Sequence, residues 1–390
     1  MIEAGYVGRV AHHLYTNNDI NQIPYMLTSG GQTFGQAYDA IQRQFLANPS
    51  LRTACAAGVA GCTVSPQAFF ETQPDVVANY GGTAAFVSAM ESGGAFSNAD
   101  VTTIYDSIGL NGFAALPMDS QFLGTQISTS MGDSIYNAGY VSLRKQLGHG
   151  LILQGNYAYS HSSDDAGLAQ SNVFISPSDG FNRRRDYQTS YFDRRHVITG
   201  FFIYDLPFGQ GHSFGGNGFL NKIIGGWKLS SAITTSSGVP QRFLNCNYGD
   251  ELGDGYLDQC SSWVATGSAA FGTNSPHRLA DGSLNSFANP DAVYASFRMP
   301  LFGDKLAGGQ TFRGMHRFNM DSALTKSTKI TERVSFDLSL QAINVFNHVD
   351  FTDPGMDLGS PPPSQGGSFG AITTQYNLPR FLNIGAKVSF

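Results

Sequence analysis

The sequence predicts an all-β protein whose antiparallel strands cross a membrane as a β-barrel. Three observations favour this fold class. Charged residues are only 13% of the 390 residues, whereas glycine reaches 46 residues and aromatic residues 12%, which departs from the composition of a typical soluble domain. Several segments alternate apolar and polar residues with period two, and the connections between them are either very short or very long. The composition by itself also fits a glycine-rich soluble sandwich or solenoid.

The strictest alternation spans residues 331–343, which we predict to form a strand. One of its faces is apolar, and the other is polar with an acid in the middle. The apolar residues are Val334, Phe336, Leu338, Leu340 and Ala342, and the polar residues are Ser335, Asp337, Ser339 and Gln341. Such a strand can face lipid on one side and water on the other.

Seven further segments predict strands of roughly ten residues, the length that crosses a bilayer when the strand is tilted. Residues 151–160 and 380–390 repeat the two-faced pattern. The other candidates are 3–10, 134–147, 192–206, 223–236 and 314–327. Together they predict an antiparallel transmembrane sheet, part of an outer-membrane barrel.

The predicted connections differ greatly in length. Two are short, at Gly148-His149-Gly150 and at Lys329-Ile330. Three are very long, at 15–132, 161–190 and 237–312. Short turns on one side and long extracellular loops on the other are typical of outer-membrane barrels, and loops of this length count against a compact soluble domain.

The sequence of the first long loop predicts short helices within it. Residues 36–47 predict an amphipathic helix, and 84–91 and 99–107 predict one or two further helical turns. The apolar positions at helical spacing in the first segment are Ala37, Ile41 and Phe45. Elsewhere, the prolines at 361–363 predict an exposed, stiff stretch.

The start of the chain lacks the features of a secretion signal. Residues 1–13 contain no basic region followed by an apolar region, although a protein exported to the outer membrane needs one. The alternatives are that Met1 is not the true start of the protein or that the chain is cytosolic. The strand pattern favours the first alternative.

Four cysteines form two local pairs in Gly/Ser/Asn-rich stretches, Cys55 with Cys62 and Cys246 with Cys260. Their even number and short spacing predict two loop-closing disulfides in an oxidising compartment. The alternative is four free thiols. Neither pair has the CxxC spacing or the neighbouring histidines of a zinc site.

A dense group of charges surrounds the start of the strand predicted at 192–206. Its members are Arg183, Arg184, Arg185, Asp193, Arg194 and Arg195. One interpretation is a cluster in the barrel lumen that binds an anionic substrate. The favoured alternative is a set of ion pairs that stabilises the barrel wall, because buried charges need partners.

Two acidic groups invite comparison with metal sites. In the HSSDD motif at 161–165, a solvated loop start is favoured over a metal or acid–base site. Asp250, Asp254 and Asp258 lie in a glycine-rich loop where carboxylate oxygens could hold calcium. Their spacing does not match the EF-hand template, so that a plain acidic surface loop is favoured.

The sequence contains none of the common catalytic motifs. Neither a G-x-S-x-G motif, a P-loop nor an HExxH motif occurs, and no GxGxxG follows a strand. We therefore expect a protein that is not an enzyme and that needs no cofactor. The formal net charge of -6 and the lack of a basic face argue against nucleic acid as a partner.

Several runs resemble, in order along most of the chain, the barrel domain of Oar-like TonB-dependent transporters. The runs are YVSLRKQLGHGLILQGNYAYSHSSDDA (140–166), FDRRHVITGFFIYDLPFG (192–209), GFLNKIIGGWKLSSAITTSSGVP (218–240), FNMDSALTKSTKITERVSFDLSLQAINVFNHVDF (318–351) and FGAITTQYNLPRFLNIGAKVSF (369–390). The resemblance is weakest in about 48–130 and 241–312, where barrel loops are free to vary.

The resemblance implies that residues 1–390 are the C-terminal portion of a larger barrel of about twenty-two strands, without the family's plug domain or signal peptide. It implies uptake, or export, of a solute such as an oligosaccharide, a peptide or a chelated metal across the cell outer membrane. The implied partners are outer-membrane lipid, the TonB energy complex acting through the plug region, and the assembly machinery that reads Phe390. The alternatives are a structural or adhesive barrel and a receptor fragment without function.

Overall fold

The main sheet of this protein follows the order of the chain. The computed structural model describes residues 1–19, 23–109, 126–147, 150–165, 181–185, 187–209, 223–241, 243–245, 261–262, 264–266, 275–298, 301–304 and 312–390. In these ranges eight long strands pair antiparallel, each with the next along the chain. They are β1 (Ile2–Asp19), β2 (Gln126–Leu147), β3 (Leu151–Asp164), β4 (His196–Asp205), β5 (Trp227–Ser236), β6 (Arg317–Lys329), β7 (Ser335–Ile343) and β8 (Phe381–Ser389). The predicted antiparallel sheet and its strands are confirmed.

The first two strands are longer than the sequence predicts. β1 extends beyond the predicted 3–10 to Asp19, and β2 begins at Gln126 instead of at 134. The two extensions pair with each other. Their residues are mostly polar and lack a period-two pattern, which explains why the apolar periodicity did not reveal them.

The register of the sheet collects apolar side chains on one face. Because directly paired residues point to the same side of a sheet, the pairing traces rows across the strands. One row crosses six strands and is apolar throughout, with Tyr204 as its only aromatic member. Its members are Leu151, Tyr204, Leu229, Leu324, Leu340 and Ile384.

The opposite face carries polar rows. One of them consists of Asp205, Lys228, Thr325, Ser339 and Gly385. Another consists of Ser142, Asn156, Thr199, Thr234 and Asn319. We call these the apolar face and the polar face of the sheet.

The apolar face is not covered by a second layer of protein in the described ranges. Leu340 is 40% exposed and Ile384 is 74% exposed, although both lie in the middle of their strands. Exposed aliphatic rows of this extent are stable only against another apolar medium. The two faces therefore suit a strand wall between lipid and a polar interior.

The sheet is open along both sides. In the described part of the chain, β1 pairs only with β2, and β8 pairs only with β7. A short strand, Gln188–Thr189, adds one local pairing to the end of β3. The eight strands thus form a curved wall that does not close on itself.

Antiparallel order fixes the side on which each connection emerges. The four long connections all lie at one end of the sheet, and the turns 148–150, 206–226 and 330–334 lie at the other. We call the long connections L1 (20–125), L2 (165–195), L3 (237–316) and L4 (344–380). The two predicted short turns, 148–150 and 330–334, are confirmed, whereas the connection 206–226 is longer. L4 is a further long loop that the sequence analysis did not count.

The described part of L1, residues 23–109, contains six α-helices. They are α1 (Phe34–Ala47), α2 (Pro49–Ala57), α3 (Ala68–Thr72), α4 (Pro74–Tyr80), α5 (Thr83–Ser92) and α6 (Val101–Asp106). α1 begins with a capping box, in which Thr33 and Gln36 each accept a hydrogen bond from the other's backbone N–H. Its predicted apolar positions, Ala37, Ile41 and Phe45, are buried. No helix in the described ranges is long and apolar enough to cross a membrane.

The proline run in L4 is not the exposed stretch that the sequence predicts. Pro362 is buried, and the carbonyl oxygens of Pro361 and Pro362 accept backbone hydrogen bonds from Phe369 and Gly367. The prolines close a turn that packs against the rest of L4. Composition suggested exposure, but the apolar ring surface of proline is buried by tertiary contacts.

We expect an arginine on the apolar face to impair folding far more than one on the polar face. Leu340→Arg places a charge against lipid, which costs about 2–4 kcal/mol near the bilayer midplane. Ser339→Arg, the adjacent residue on the polar face, is the matched control. Heat-modifiable gel migration and urea titration of the chain folded into lipid vesicles measure the difference. Equal losses in the two variants would contradict the assignment of the faces.

Candidate functional site

The four long loops form a connected assembly at one end of the sheet. Tyr25 of L1 packs edge-on against Phe181 of L2, and its ring stacks on Phe302 of L3 with centroids 5.0 Å apart. Tyr294 of L3 donates a hydrogen bond to the Leu358 carbonyl of L4. Loops placed by a rigid sheet are the usual carriers of binding function, so that we take this loop assembly as the candidate ligand-binding surface.

Asp193 is the centre of the junction between L2 and L3. Its side chain is only 2% exposed, and one carboxylate oxygen accepts a hydrogen bond of 2.7 Å from the Ser162 backbone N–H. The other oxygen pairs with Arg313 of L3 at 2.5 Å and with Arg195 at 3.4 Å. Arg313 also donates to the backbone carbonyls of Asp193 and Gly238. One buried carboxylate thus binds two guanidinium groups and ties the two loops together.

A second ion pair lies within L2 and is hydrogen-bonded to β2. Arg183 lies 2.5 Å from a carboxylate oxygen of Asp165. The other oxygen of Asp165 accepts a 2.7 Å hydrogen bond from the backbone N–H of Asp133. Burial raises the pKa of the nearby Tyr187 hydroxyl, and the carboxylates of Asp165 and Asp164 raise it further. Asp164 and Asp165, from the HSSDD motif, are therefore buried in the wall and do not form a solvated loop start.

The remaining arginines of the predicted charge cluster lie apart from one another. Arg194 donates to the hydroxyl oxygen of Ser236 and to the carbonyl of Ser237, and Arg184 is exposed. The side chain of Arg185 lies outside the described residues. The charges that are adjacent in sequence are thus divided among separate partners. This arrangement favours the stabilising interpretation of the cluster over anion binding.

L3 and L4 share an aromatic core. Asn285 of L3 is fully buried and donates to the Phe369 carbonyl of L4 at 2.8 Å, and its own oxygen accepts the Phe287 N–H. The core residues are Phe243, Phe287, Val293, Phe297, Phe312, Met356, Leu358 and Phe369. This packing holds L3 and L4 together. The buried side-chain amide of Asn285 makes hydrogen bonds with the backbone of both loops.

One of the two predicted disulfides lies in the described part of the chain, whereas the other cysteine pair and the calcium candidates lie outside it. Cys55 and Cys62 form a disulfide within L1, and both are buried in its core. Cys246 and Cys260, together with the calcium candidates Asp250, Asp254 and Asp258, lie outside the described residues. Among the residues that are described, no group of three or more His, Cys, Asp or Glu side chains is placed to hold a metal ion.

L1 contains carboxyl groups with raised pKa values. Burial raises the pKa of Asp39, although hydrogen bonds from the backbone N–H groups of Gly303 and Phe302 oppose that rise. Burial also raises the pKa of Asp106, and the nearby Asp100 adds to the rise. One carboxylate oxygen of Asp106 is buried and has no hydrogen-bond partner among the described residues. Ionisation of Asp106 therefore destabilises the folded state of L1.

The polar face offers two shallow depressions. One of about 450 Å³ lies at the end away from the loops and is lined by Lys228, Asp337 and Lys387. The other, of about 330 Å³, includes Phe201 and Asp321. Both are open hollows along the described part of the wall.

Two important residues of the loop assembly escaped the sequence analysis. Arg313 lies 120 residues from Asp193, and Phe302 lies 263 residues from Asp39. Neither belongs to a periodic pattern or a charge run. A period within one strand carries no information about such distant partners, so no local signal could have found them.

Comparison with known proteins identifies one family. The family model described as "Outer membrane beta barrel domain" matches residues 1–383. No curated protein matches the chain, and no solved structure matches it. The family agrees with the two-faced antiparallel sheet and with the long loops at one end.

We expect Asp193→Ala to loosen L2 from L3. The change leaves Arg195 and Arg313 without their shared carboxylate, and breaking a buried ion pair by removing one partner costs about 3–5 kcal/mol. Arg184→Ala removes an exposed charge nearby and is the control. Protease cleavage within L2 and L3, measured on the chain in detergent micelles, reports the effect. If the two variants are cleaved at the same rate, the Asp193 junction does not hold the loops.

We expect Asp106→Asn to stabilise L1 at neutral pH and to change its pH dependence. A carboxyl whose pKa is raised on folding favours the folded state below its unfolded pKa and loses that contribution as the pH rises through the folded value. The advantage of the variant should therefore shrink as the pH falls from neutral to about 4, near the ordinary carboxyl pKa. The midpoint of heat-induced protease sensitivity of L1 measures it. A constant difference between variant and wild type would disprove the linkage.

Proposed function

The chain belongs to the outer membrane beta barrel domain family, and from this premise we propose that it is the C-terminal part of the barrel of an Oar-like TonB-dependent transporter. The family places the protein in the cell outer membrane. Its polar face lines the interior, and its apolar face contacts lipid. The proposal extends to residues 1–390 as one portion of the barrel domain.

The open sides of the sheet carry this proposal. Each backbone N–H or C=O group that remains unpaired in hydrocarbon costs several kcal/mol, so that a membrane-spanning sheet needs partners along both edges. In the described part of the chain, no strand pairs with the outer edge of β1, which has 18 residues, or of β8, which has 9 residues. We infer that further strands of the same protein pair with these edges. A transporter barrel of about twenty-two strands has room for them.

The loop assembly supports a receptor role at the outer surface. Four long loops converge at one end, and at least three of them have a fixed shape through the Asp193 junction and the shared core of L3 and L4. A solute such as an oligosaccharide, a peptide or a chelated metal would bind there and pass along the polar face. In this proposal the protein binds and moves the solute without chemical change, and it needs no cofactor.

The proposed partners follow from the same role. A plug region outside this chain would contact the TonB energy complex. Phe390, the final residue of the sequence, follows β8 directly and is fully exposed. We propose that the assembly machinery reads this terminal aromatic residue together with the last strand.

The test is uptake by cells that produce the full protein, compared with a deletion strain and a complemented strain. The probes are labelled linear oligosaccharides, labelled tripeptides and ferric citrate, each with and without a protonophore. We expect gene-dependent accumulation of one probe that the protonophore abolishes, because TonB draws on the proton gradient. Removal of Phe390 should lower the amount of protein in the outer membrane.

The other outcomes would overturn the transport proposal in different ways. Gene-dependent accumulation that resists the protonophore would indicate a passive pore. Unchanged accumulation with weaker attachment of cells to one another or to a matrix would indicate a structural or adhesive barrel. No difference in either assay would indicate a fragment without function.

A further inference from the structure

The helical part of L1 is a self-contained folding unit. Its core draws on residues 23–108 and encloses the Cys55–Cys62 disulfide. Among the described residues, Phe302 of L3 is the hydrophobic side chain from outside this range that packs against the core, and Phe181 of L2 contacts Tyr25 edge-on at its border. L1 therefore has an interior of its own and takes in the ring of Phe302.

The ring of Phe302 occupies an aromatic cage. It stacks on Tyr25 with centroids 5.0 Å apart and meets Tyr38 edge-on at 5.4 Å and Phe34 at 6.2 Å. A side chain on Gly35 would come within 3.3 Å of Phe302 and 3.2 Å of Tyr25. The absence of a side chain at Gly35 thus leaves the space that the incoming ring uses.

Asp39 binds the backbone next to this ring. It lies in the middle of α1 and is only 5% exposed. Its two carboxylate oxygens accept hydrogen bonds from the consecutive N–H groups of Phe302 and Gly303, at 2.8 and 3.0 Å. Carboxylates bind backbone N–H donors strongly, and a Cβ at position 303 would lie 3.3 Å from Asp39. The site therefore fits a ring followed by a residue with little or no side chain.

The segment that enters the cage is preformed. Asp304 accepts hydrogen bonds from the Leu301 N–H at 2.8 Å and from both terminal nitrogens of Arg298, at 2.6 and 3.0 Å. The backbone N–H of Asp304 donates to the Leu301 carbonyl. We call residues 301–304 the hook. The hook closes on itself and presents one ring and two consecutive N–H groups to L1.

We propose that the cage formed by Tyr25, Phe34, Tyr38 and Asp39 is a peptide-docking site, which the chain's own hook occupies in the closed state of the loops. Its ligand is a peptide segment in which an aromatic residue precedes glycine. Such a segment supplies the ring for the cage and two unhindered N–H groups for Asp39. The inference concerns L1 itself and goes beyond solute transport, since it holds for a transporter and for an adhesive barrel alike.

Binding of the hook sequence as a free peptide tests this site. The probe is acetyl-Leu-Phe-Gly-Asp-amide, and acetyl-Leu-Ala-Gly-Asp-amide is the matched control peptide. Both are titrated into the full chain in detergent micelles, and NMR line broadening of the peptide measures binding. Phe302→Ala should bind the Phe peptide at least tenfold more tightly than wild type does, because its cage is vacated. Asp39→Ala in the same background should abolish the gain.

Phe302→Leu is a second variant for the case that Phe302→Ala unfolds L1. Leucine keeps the core filled, and an aromatic peptide should still displace it more readily than it displaces phenylalanine. Resistance of L1 to protease establishes that the unit is folded in each variant. Folded L1 with a vacated cage that binds the two peptides equally, or binds neither, would overturn the proposal.

Discussion

The register of the eight-stranded sheet is the constraint on which the rest of the structure depends. Side chains alternate with period two, so that a slip of one residue between neighbouring strands would move every apolar side chain to the polar face. The row from Leu151 to Ile384 is apolar in all six strands that it crosses. One wall can therefore face lipid and a polar interior at once.

Chain order and antiparallel pairing then decide where the function can lie. The strands alternate in direction, so the four long connections must emerge together at one end. The described parts of these loops have interiors of their own. L1 obtains one from its helices and disulfide, and L3 and L4 obtain one by sharing aromatic residues. The buried charges at the loop bases are matched, as Asp193 is by Arg195 and Arg313.

Features that depend on residues close together in the chain were predicted from the sequence, whereas features that depend on distant residues were missed. Strand β7 and helix α1 were predicted because a single segment contains the whole periodic pattern that drives its burial. The extended part of β1 was missed because its polar residues are held by pairing with β2 and not by an apolar face. The core of L4 was missed for a related reason, since it is shared with Phe287 and other residues of L3.

The sequence by itself determined the all-β class, the two faces of the strands, the end at which the loops lie and three of the six described helices of L1, those near 36–47, 84–91 and 99–107. All of these depend on residues close together in the chain, where period and spacing can be read directly. Only the tertiary structure decided which charges pair, why Pro362 is buried and where Phe302 docks. These outcomes depend on residues up to 263 positions apart, and the free energy of such contacts is set by burial and geometry that no local pattern contains.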